Sequence, residues 1–407
     1  MINIYNVFPR YVKNNKEMYE MIVGAKDMGF DSVYFNPFFR TGESKNIYAI
    51  ADYYQFDELS FDNDKNMDMQ VKEWITVCNK NGMRPIVDLV VNHTAVDSEL
   101  VKIHPDFYCY ENSRIKTPTG RDIGKTLIWH DSAQLDYTNI QSGLWDYMLD
   151  VCKFYIQLGF RGFRCDAADQ INLAFWMWLV REIKKIDEDI LFIGEAYLCP
   201  ENTRIGLAYA GFDYLYNSSK WWDYKSEWLL AEQELFSKYI KSISFPENHD
   251  SIRLMSETCG NMALFLMRLY FTAFWSYGFE ITIGMEFGEF VQLDNVETQR
   301  SLCFSENRTD RYNFTRHIKE IIKVRKEVME GQNWETKDCA RKTDVKDSFV
   351  RVYFENMKYG FEMDFSNMSF TVRKQYDENN VRMWEFNCIN PEPSISFGYE
   401  VISERFY

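Results

Sequence analysis

Three acidic residues that are far apart in the chain each follow a short apolar run. Asp166 ends the run GFRCD, Glu195 ends LFIGE, and Asp250 ends ISFPENHD with His249 directly before it. A single acidic residue in such a position is usually a helix N-cap or a solvated turn residue. Three carboxyls in one cleft would drive their pKa values apart, giving one ionised nucleophile and one protonated acid. Such a pair is what cleavage of a glycosidic bond requires.

Other polar residues accompany these carboxylates. Arg164 lies in the same run as the first of them, where a cation lowers the pKa of a neighbouring carboxyl and favours its ionised form. The run IVDLVVNH contributes Asp88 and His93, and Arg253 follows the third carboxylate. The chain contains five histidines, and two of them, His93 and His249, fall in these clusters. The sequence therefore predicts a site in which carboxylates are surrounded by hydrogen-bonding side chains.

Short apolar runs alternate with longer amphipathic stretches along the first four fifths of the chain, which is typical of repeated strand–helix units in a parallel sheet. Eight such units close into a (β/α)8 barrel, whose strands all deliver their C-terminal ends to one face. The acidic residues at the strand ends should therefore be neighbours. Helices are predicted at residues 67–81, 143–158, 173–186, 226–240 and 316–329. The predicted strands are residues 2–8, 32–36, 84–91, 162–166, 191–195, 214–216, 243–245 and 281–283.

Two segments depart from the alternation. Residues 92–137 are polar, show no clear period and are too long for an ordinary loop, which predicts a small subdomain inserted after strand 3. From about residue 332 the pattern becomes strict alternation, as in SFVRVYFE, which indicates an antiparallel β domain. We therefore predict an α/β fold: a (β/α)8 TIM barrel formed by residues 1–91 and 138–331, an inserted subdomain at 92–137, and a C-terminal antiparallel β domain at 332–407.

The composition restricts partners and compartment. The 407 residues include 46 Lys and Arg against 61 Asp and Glu, and the resulting net charge of −15 would be repelled by nucleic acid and by anionic membranes. The opening MINIYNVFPR lacks an apolar signal region, and nine scattered cysteines form no CxxC pair. We therefore expect a cytoplasmic protein with reduced thiols, and a buried helix and strand at 262–283. The expected partner is an oligosaccharide or α-glucoside, and the sequence gives no prediction of the oligomeric state.

The motifs DLVVNH, GFRCDAA, GEA and ENHD occur in the order and approximate spacing of the conserved regions of the α-amylase superfamily, glycoside hydrolase family 13. The chain resembles that family over about residues 2–330. FNPFF followed by NIYAIADYY is similar to the family loop with a substrate-stacking tyrosine, here Tyr48, and IGMEFGE resembles its Gly-x-Glu ending. The resemblance implies that Asp166 is the nucleophile, Glu195 the general acid/base, and Asp250 the carboxylate that stabilises the distorted sugar.

The resemblance also implies roles for the remaining polar residues and an activity. His93 and His249 would bond sugar hydroxyls at subsite −1, Tyr48 would stack on that sugar, Asp88 would support the cluster, and Arg253 would bind sugar or brace its loop. The implied enzyme is a retaining one that cleaves α-1,4-glucosidic bonds through a covalent glycosyl-aspartate, by hydrolysis or transglycosylation on maltodextrins. Alternatives are a glucanotransferase or maltosyltransferase with a glucan or phosphate acceptor, a sucrose- or isomaltose-acting relative, and, less favoured, a non-catalytic scaffold.

The sequence departs from the family at two places. Many α-amylases follow the nucleophile with Ala-Ala-Lys-His, whereas this chain has Ala-Ala-Asp169-Gln170, which disfavours a plain endo-acting starch amylase. At the usual calcium site Asn92 is present, but Gln134 stands where an Asp is usual, with Asp136 as a substitute. We therefore expect no cofactor, and a structural calcium is not favoured. The opening segments resemble the intracellular maltosyl-transferring or maltodextrin-acting branches more closely than the secreted amylases.

Overall fold

Eight parallel strands form a closed barrel in which neighbours along the chain are neighbours in the sheet, and pairing of the first strand with the last closes the ring. This confirms the predicted fold class, and each predicted strand overlaps an observed one. The computed structural model describes residues 1–12, 14–62, 66–122, 125–296, 312–329, 341–346, 348–354, 358–376, 380–389 and 395–401. The barrel strands are β1 (Ile2–Val7), β2 (Ser32–Phe35), β3 (Arg84–Leu89), β4 (Gly162–Cys165), β5 (Leu191–Gly194), β6 (Tyr214–Tyr216), β7 (Lys241–Ser244) and β8 (Gly278–Thr282).

The longer helices follow or separate these strands, and their ends carry the expected capping residues. Asn14 precedes the first helix and accepts a hydrogen bond from the Glu17 N–H, and Gly29 ends that helix with a left-handed φ of 102°. The five predicted helices are confirmed to within two residues at each end. The longer helices are α1 (Asn15–Met28), α2 (Met67–Lys80), α3 (Leu144–Leu158), α4 (Leu173–Ile186), α5 (Glu201–Ala210), α6 (Trp228–Tyr239), α7 (Met262–Trp275) and α8 (Thr315–Met329).

The segment between β3 and α3 contains short antiparallel pairs. His93–Ala95 pairs with Ser132–Gln134, and Thr119–Asp122 pairs with Lys125–Ile128. After α8, six strands form one antiparallel sheet in sequence order, while the predicted boundary at residue 331 lies outside the described residues. These six strands are β9 (Arg341–Lys346), β10 (Phe349–Phe354), β11 (Tyr359–Asp364), β12 (Ser369–Gln375), β13 (Asn380–Asn387) and β14 (Ile395–Val401).

Helix α7 packs against this sheet, and α8 also contacts it, since the Lys374 ammonium of β12 donates to the carbonyl oxygen of Val328. Helix α7 is buried from Phe265 to Trp275 except at Arg268, and the Tyr359 hydroxyl of β11 donates a hydrogen bond of 2.9 Å to the carbonyl oxygen of Phe274. The most apolar stretch of the sequence is therefore a buried helix followed by the barrel strand β8, as predicted. Within the described parts of the chain, no helix combines the length and the apolar character needed to cross a bilayer.

The barrel interior changes from apolar to polar toward the C-terminal ends of the strands. Ile2, Ile4, Ile86, Ile193 and Ile243 belong to one buried cluster inside the ring. Closer to the C-terminal ends of the strands, the buried interior carries polar and ionisable side chains from several strands. These side chains therefore lie directly above the apolar cluster. These polar side chains are Tyr34, Asp88, Arg164, Tyr216 and Glu280.

Candidate active site

The guanidinium of Arg164, which is on β4, lies at the centre of the polar cluster. Its Nη1 atom lies 2.8 Å from Asp166 Oδ1 and 3.1 Å from Asp88 Oδ1, and its Nη2 atom lies 3.0 Å from Glu195 Oε2. The side chains of Asp166 and Glu195 are 11% and 14% exposed, whereas that of Asp88 is fully buried. Asp166 and Glu195, which were predicted from different strands, thus meet at the opening of the barrel. Asp88 contacts the same guanidinium from inside the barrel.

The residues directly after these two carboxylates help to orient Glu195. Ala167 has a φ of 42°, a left-handed conformation that costs a residue with a Cβ about 1–2 kcal/mol. In this conformation its N–H donates a 2.9 Å hydrogen bond to Glu195 Oε2. The Tyr197 hydroxyl donates to the other oxygen, Glu195 Oε1, and accepts from Asn248 Nδ2 at 3.4 Å. The sequence predicted no role for Ala167, Tyr197 or Asn248, although GEA is followed directly by an aromatic residue and Asn248 lies in the motif ENHD.

The ionisation of Asp166 differs in net direction from the prediction. Burial and the negative charge of Glu195 raise the pKa of Asp166 well above its usual value, and the opposing effect of Arg164 does not cancel them. The prediction that Arg164 holds this pKa down is therefore right about the direction of its contribution and wrong about the net result. The two carboxyls on one guanidinium are suited to hold one proton and one negative charge together.

Asp250 joins the cluster through His249 and Tyr48. His249 Nε2 lies 3.1 Å from Asp250 Oδ2 and 2.6 Å from the Tyr48 hydroxyl, which in turn donates to Asp88 Oδ2 at 2.9 Å. The Tyr48 and His249 rings stack with centroids 5.3 Å apart. The Asp250 side chain is 46% exposed, and the partial desolvation that acts to raise its pKa is outweighed by the charge and the hydrogen bond of His249, which lower the pKa to about 2. An unbroken series of contacts therefore links Asp250 to the carboxylates held by Arg164.

The other two predicted binding residues, His93 and Arg253, are buried and make no contact with the carboxylates held by Arg164 among the contacts of the described residues. His93 is 3% exposed, its ring lies 5.2 Å from that of Trp129, and burial lowers its pKa to about 4, so the imidazole is neutral. Arg253 is fully buried, with Nη1 at 3.0 Å from Glu247 Oε1 and Nη2 donating to the Ile283 carbonyl oxygen at 2.7 Å. Of the two roles left open for Arg253, the structure supports bracing of the loop after β7, because a fully buried side chain does not reach a sugar.

The sequences of two curated relatives align with most of this chain, and a family model matches its first part. A family model described as "Glycogen debranching enzyme, glucanotransferase domain" matches residues 1–118. The α-1,4-glucan:maltose-1-phosphate maltosyltransferase of Picrophilus torridus is 23% identical over 382 residues, which are 86% of this chain and 59% of that protein. Neopullulanase 2 of Thermoactinomyces vulgaris is 23% identical over 389 residues, 90% of this chain and 65% of that protein. The chain thus spans less than two thirds of the length of these curated relatives.

A solved structure agrees with the sequence relatives. The α-amylase of Lactobacillus plantarum superposes with a TM-score of 0.74 over 98% of this chain and 96% of that one, at 19% identity, which shows a shared fold. The chain is therefore similar to proteins of the α-amylase superfamily in sequence and shares their fold. In this chain, the carboxylates at the ends of β4, β5 and β7 form the candidate active site.

The residues considered for calcium make contacts with neighbouring protein groups. Asn92 Nδ2 faces another amide, that of Gln170, at 3.5 Å, and Asp136 Oδ1 accepts hydrogen bonds from the N–H and hydroxyl of Thr138. Calcium takes about six to eight oxygen ligands. Across the described ranges, no group of three His, Cys, Asp or Glu side chains is placed to hold a metal. The expectation that no structural calcium is needed stays a prediction, and no catalytic step is derived from a metal.

One buried carboxyl beneath the site was not predicted. Glu280 on β8 is 2% exposed and accepts a hydrogen bond from the Tyr216 hydroxyl. It lines a small cavity that also touches Arg164 and His249 and, at about 10 Å³, is close to the space that one water molecule needs. Burial raises the pKa of Glu280 to about 7, against the opposing effects of the Tyr216 hydrogen bond and the Arg164 charge.

This raised pKa predicts a pH-dependent stability. An unfolded Glu ionises near pH 4.5, whereas folded Glu280 keeps its proton up to about pH 7, so the folded state loses stability as the pH rises through this window. Glu280→Gln should abolish that loss and make the variant more stable than the parent at pH 8.5 by about 3 kcal/mol, with little difference at pH 4.5. Urea unfolding at both pH values measures the difference.

Tyr216→Phe is the matched control for this stability experiment. It removes a hydrogen bond that favours the ionised form, so the loss of stability should extend to higher pH than in the parent protein. If the Glu280→Gln variant follows the same stability curve as the parent from pH 4.5 to 8.5, Glu280 does not titrate in this window.

Proposed function

We propose that this protein is a retaining enzyme that cleaves α-1,4-glucosidic bonds in maltodextrins. In this proposal Asp166 is the nucleophile and Glu195 the general acid/base. The observation that carries the proposal is that both carboxyls contact the same Arg164 guanidinium at the open end of the barrel. Retaining glycosidases need two carboxyls about 5–5.5 Å apart, one to attack and one to protonate.

The reaction proceeds in two displacements. The raised pKa of Asp166 favours its protonated form, so the first displacement starts from the form of the pair in which Glu195 carries the proton and Asp166 is ionised. A carboxylate oxygen of Asp166 then attacks the anomeric carbon as Glu195 gives its proton to the departing glycosidic oxygen, so the old C–O bond breaks as the glycosyl-aspartate ester forms. Glu195, now ionised, then removes a proton from water or from a sugar hydroxyl. The resulting nucleophile attacks the anomeric carbon and releases Asp166 with overall retention. The proton that Glu195 gives in the first step is recovered in the second.

Other residues of the cluster suit the sugar at subsite −1. A pKa of about 2 keeps Asp250 ionised, and a negative charge stabilises the positive charge that develops on the sugar ring. We keep His93 as a ligand of a sugar hydroxyl in this proposal; its Nδ1 atom is enclosed and has no protein hydrogen-bond partner in the described part of the chain, so neighbouring side chains must move for a sugar to reach it. The Tyr48 ring, fixed by its stacking on His249, would present its remaining surface to the sugar.

Water or a glucan hydroxyl is the acceptor that the local charges favour. Within the described residues, the ion pairs of Asp166, Glu195 and Asp250 involve Arg164 and His249, and both of these cations are already engaged by carboxylates. A phosphate acceptor needs a basic group that is available to it, so these charges do not favour phosphate.

The state of the cysteines supports a cytoplasmic location in this proposal. The seven cysteines in the described ranges are unpaired, as expected for a protein in the reducing cytoplasm.

Product analysis with maltoheptaose tests the proposal. The first product formed should be the α-anomer by ¹H NMR, and chromatography should show either only shorter oligosaccharides, from hydrolysis, or longer ones as well, from transfer. A β-anomer as the first product would contradict retention. If sucrose, trehalose or isomaltose is turned over and maltoheptaose is not, the α-1,4 assignment is wrong. Addition of inorganic phosphate should yield no sugar phosphate, and its appearance would contradict the assigned acceptor.

A further inference from the structure

The side chain of Arg10, just beyond β1, joins three loops at the open end of the barrel. It is 2% exposed, and its Nε atom donates a 2.8 Å hydrogen bond to Asp57 Oδ2. Its Nη1 atom donates to the carbonyl oxygens of Lys45 at 2.5 Å and Asn295 at 3.2 Å. Lys45 and Asp57 belong to the connection that follows β2, and Asn295 belongs to the connection that follows β8. One buried cation therefore holds together segments that are 285 residues apart in the chain.

Both of the segments that Arg10 holds reach the active site. The Ile47 N–H donates a 2.9 Å hydrogen bond to the Asn295 carbonyl oxygen, and the next residue is Tyr48, whose ring stacks on His249. The Asn295 amide donates from Nδ2 to Asp250 Oδ1 at 3.3 Å. Asp250 is thus held from two sides, by His249 on one oxygen and by Asn295 on the other.

The segment that carries Asn295 has little packing of its own. Phe290, Val291 and Val296 are 43%, 52% and 46% exposed, and Leu293 is the buried hydrophobic residue between them. A loop with few buried apolar contacts has low local stability, so its position depends on the hydrogen bonds that tie it down. The contacts with the guanidinium of Arg10 and with Ile47 are such bonds.

We propose that Arg10 is a positioning residue of the active site. By fixing the backbone of Asn295 against the segment that leads to Tyr48, it keeps the Asn295 amide on Asp250 and the Tyr48 ring on His249. The role of Asp250 in catalysis rests on the function proposed above, but the geometric relation between Arg10, Asn295 and Asp250 does not. The inference can therefore be tested with and without turnover.

Two variants isolate the contacts. Arg10→Lys keeps a positive charge for Asp57 but lacks the planar fork that donates to both carbonyl oxygens. Asn295→Ala leaves Arg10 intact and removes the amide that reaches Asp250. Arg325→Lys is the matched control, because Arg325 is also fully buried and also donates to backbone carbonyl oxygens, those of Ser276 and Tyr277, at the opposite end of the barrel.

The first readout needs no turnover. The negative charge of Asp250 raises the pKa of His249 against the effect of burial, so a displaced Asp250 should let that pKa fall. NMR titration of the five imidazoles, with His249 assigned by its substitution, should show a lower pKa for His249 in both the Arg10→Lys and Asn295→Ala variants and no such change in Arg325→Lys. An unchanged His249 titration in both variants would overturn the proposal, whether or not the protein acts on glucans.

The second readout uses the reaction. With maltoheptaose, both variants should lower kcat by about 10- to 100-fold and change KM less than about threefold, because an interaction made in the transition state is lost. The Arg10→Lys/Asn295→Ala double variant should lose less than the product of the two single effects, because the two residues act in one series of contacts. Full kcat in both single variants, with an active parent protein, refutes the positioning role. Absence of turnover in the parent itself refutes the proposed function, and the titration then decides the inference on Arg10.

Discussion

Asp166→Asn should lower kcat/KM for maltoheptaose by at least about 10⁴-fold while leaving the fold intact. An amide is not a nucleophile toward the anomeric carbon, so the first displacement has no attacking group. The Asn oxygen can still accept the hydrogen bond that Arg164 Nη1 gives to Asp166 Oδ1, so the guanidinium keeps a partner. Steady-state kinetics, with thermal unfolding as the check on folding, measure the effect.

The matched control for this substitution is Asp150→Asn on the outer surface of α3. That carboxylate is 61% exposed and pairs with Lys153, so its removal should leave kcat/KM within about twofold of the parent. A 2-deoxy-2-fluoro-α-maltosyl fluoride should also add the mass of one fluoromaltosyl group to the peptide containing Asp166, and none in Asp166→Asn. Turnover by Asp166→Asn at more than about 1% of the parent rate, without reversion, would remove Asp166 from the nucleophile's role.

Glu195→Gln should separate the two halves of the reaction. For maltoheptaose, kcat/KM should fall by about 10²- to 10⁴-fold, because a sugar alkoxide leaves slowly without a proton donor. A maltosyl fluoride needs little protonation of its leaving group, so its first displacement should fall far less. The glycosyl-enzyme then accumulates, because the amide that replaces the Glu195 carboxylate cannot deprotonate the acceptor. A burst of fluoride release, equal in amount to the enzyme, measures this.

Tyr197→Phe is the companion variant for this experiment. It retains the Glu195 carboxyl and removes one hydrogen bond to Oε1, so we expect a loss of about tenfold and no selectivity between leaving groups. If Glu195→Gln slows maltosyl fluoride and maltoheptaose equally, the residue does not act as the acid in the first step.

The sequence predicted best those site residues that directly follow a barrel strand. Asp166, Glu195 and Asp250 could be predicted because a (β/α)8 barrel brings the C-terminal ends of its strands to one face. Strand boundaries were less predictable. Strand β8 begins at Gly278, whereas the predicted strand began three residues later, at Ile281. The prediction was wrong there because a glycine in a sequence usually indicates a turn. In the structure, a Cβ at Gly278 would lie 2.5 Å from Ile243 Cγ1, so the glycine permits close strand pairing.

The side chains that the sequence did not predict act through contacts between distant segments. The link from Arg10 to Asn295 spans 285 positions, and no local pattern marks either residue. Glu280 interrupts an apolar strand and could have been noticed as a charge without an evident partner. The net direction of the Asp166 pKa could not be predicted, because it depends on how strongly burial and Glu195 oppose Arg164.

The shared guanidinium has a consequence for how such a site can diversify. Asp166 and Glu195 both contact the rigid, planar guanidinium of Arg164. The distance between these two carboxyls is therefore set by β4, the barrel strand that carries Arg164. The surrounding connections can therefore lengthen, shorten or change composition without changing the distance between these two carboxyls. Replacement of rim segments other than the connections that Arg10 holds, with β4 and β5 left unchanged, is thus a practical engineering route to new acceptors.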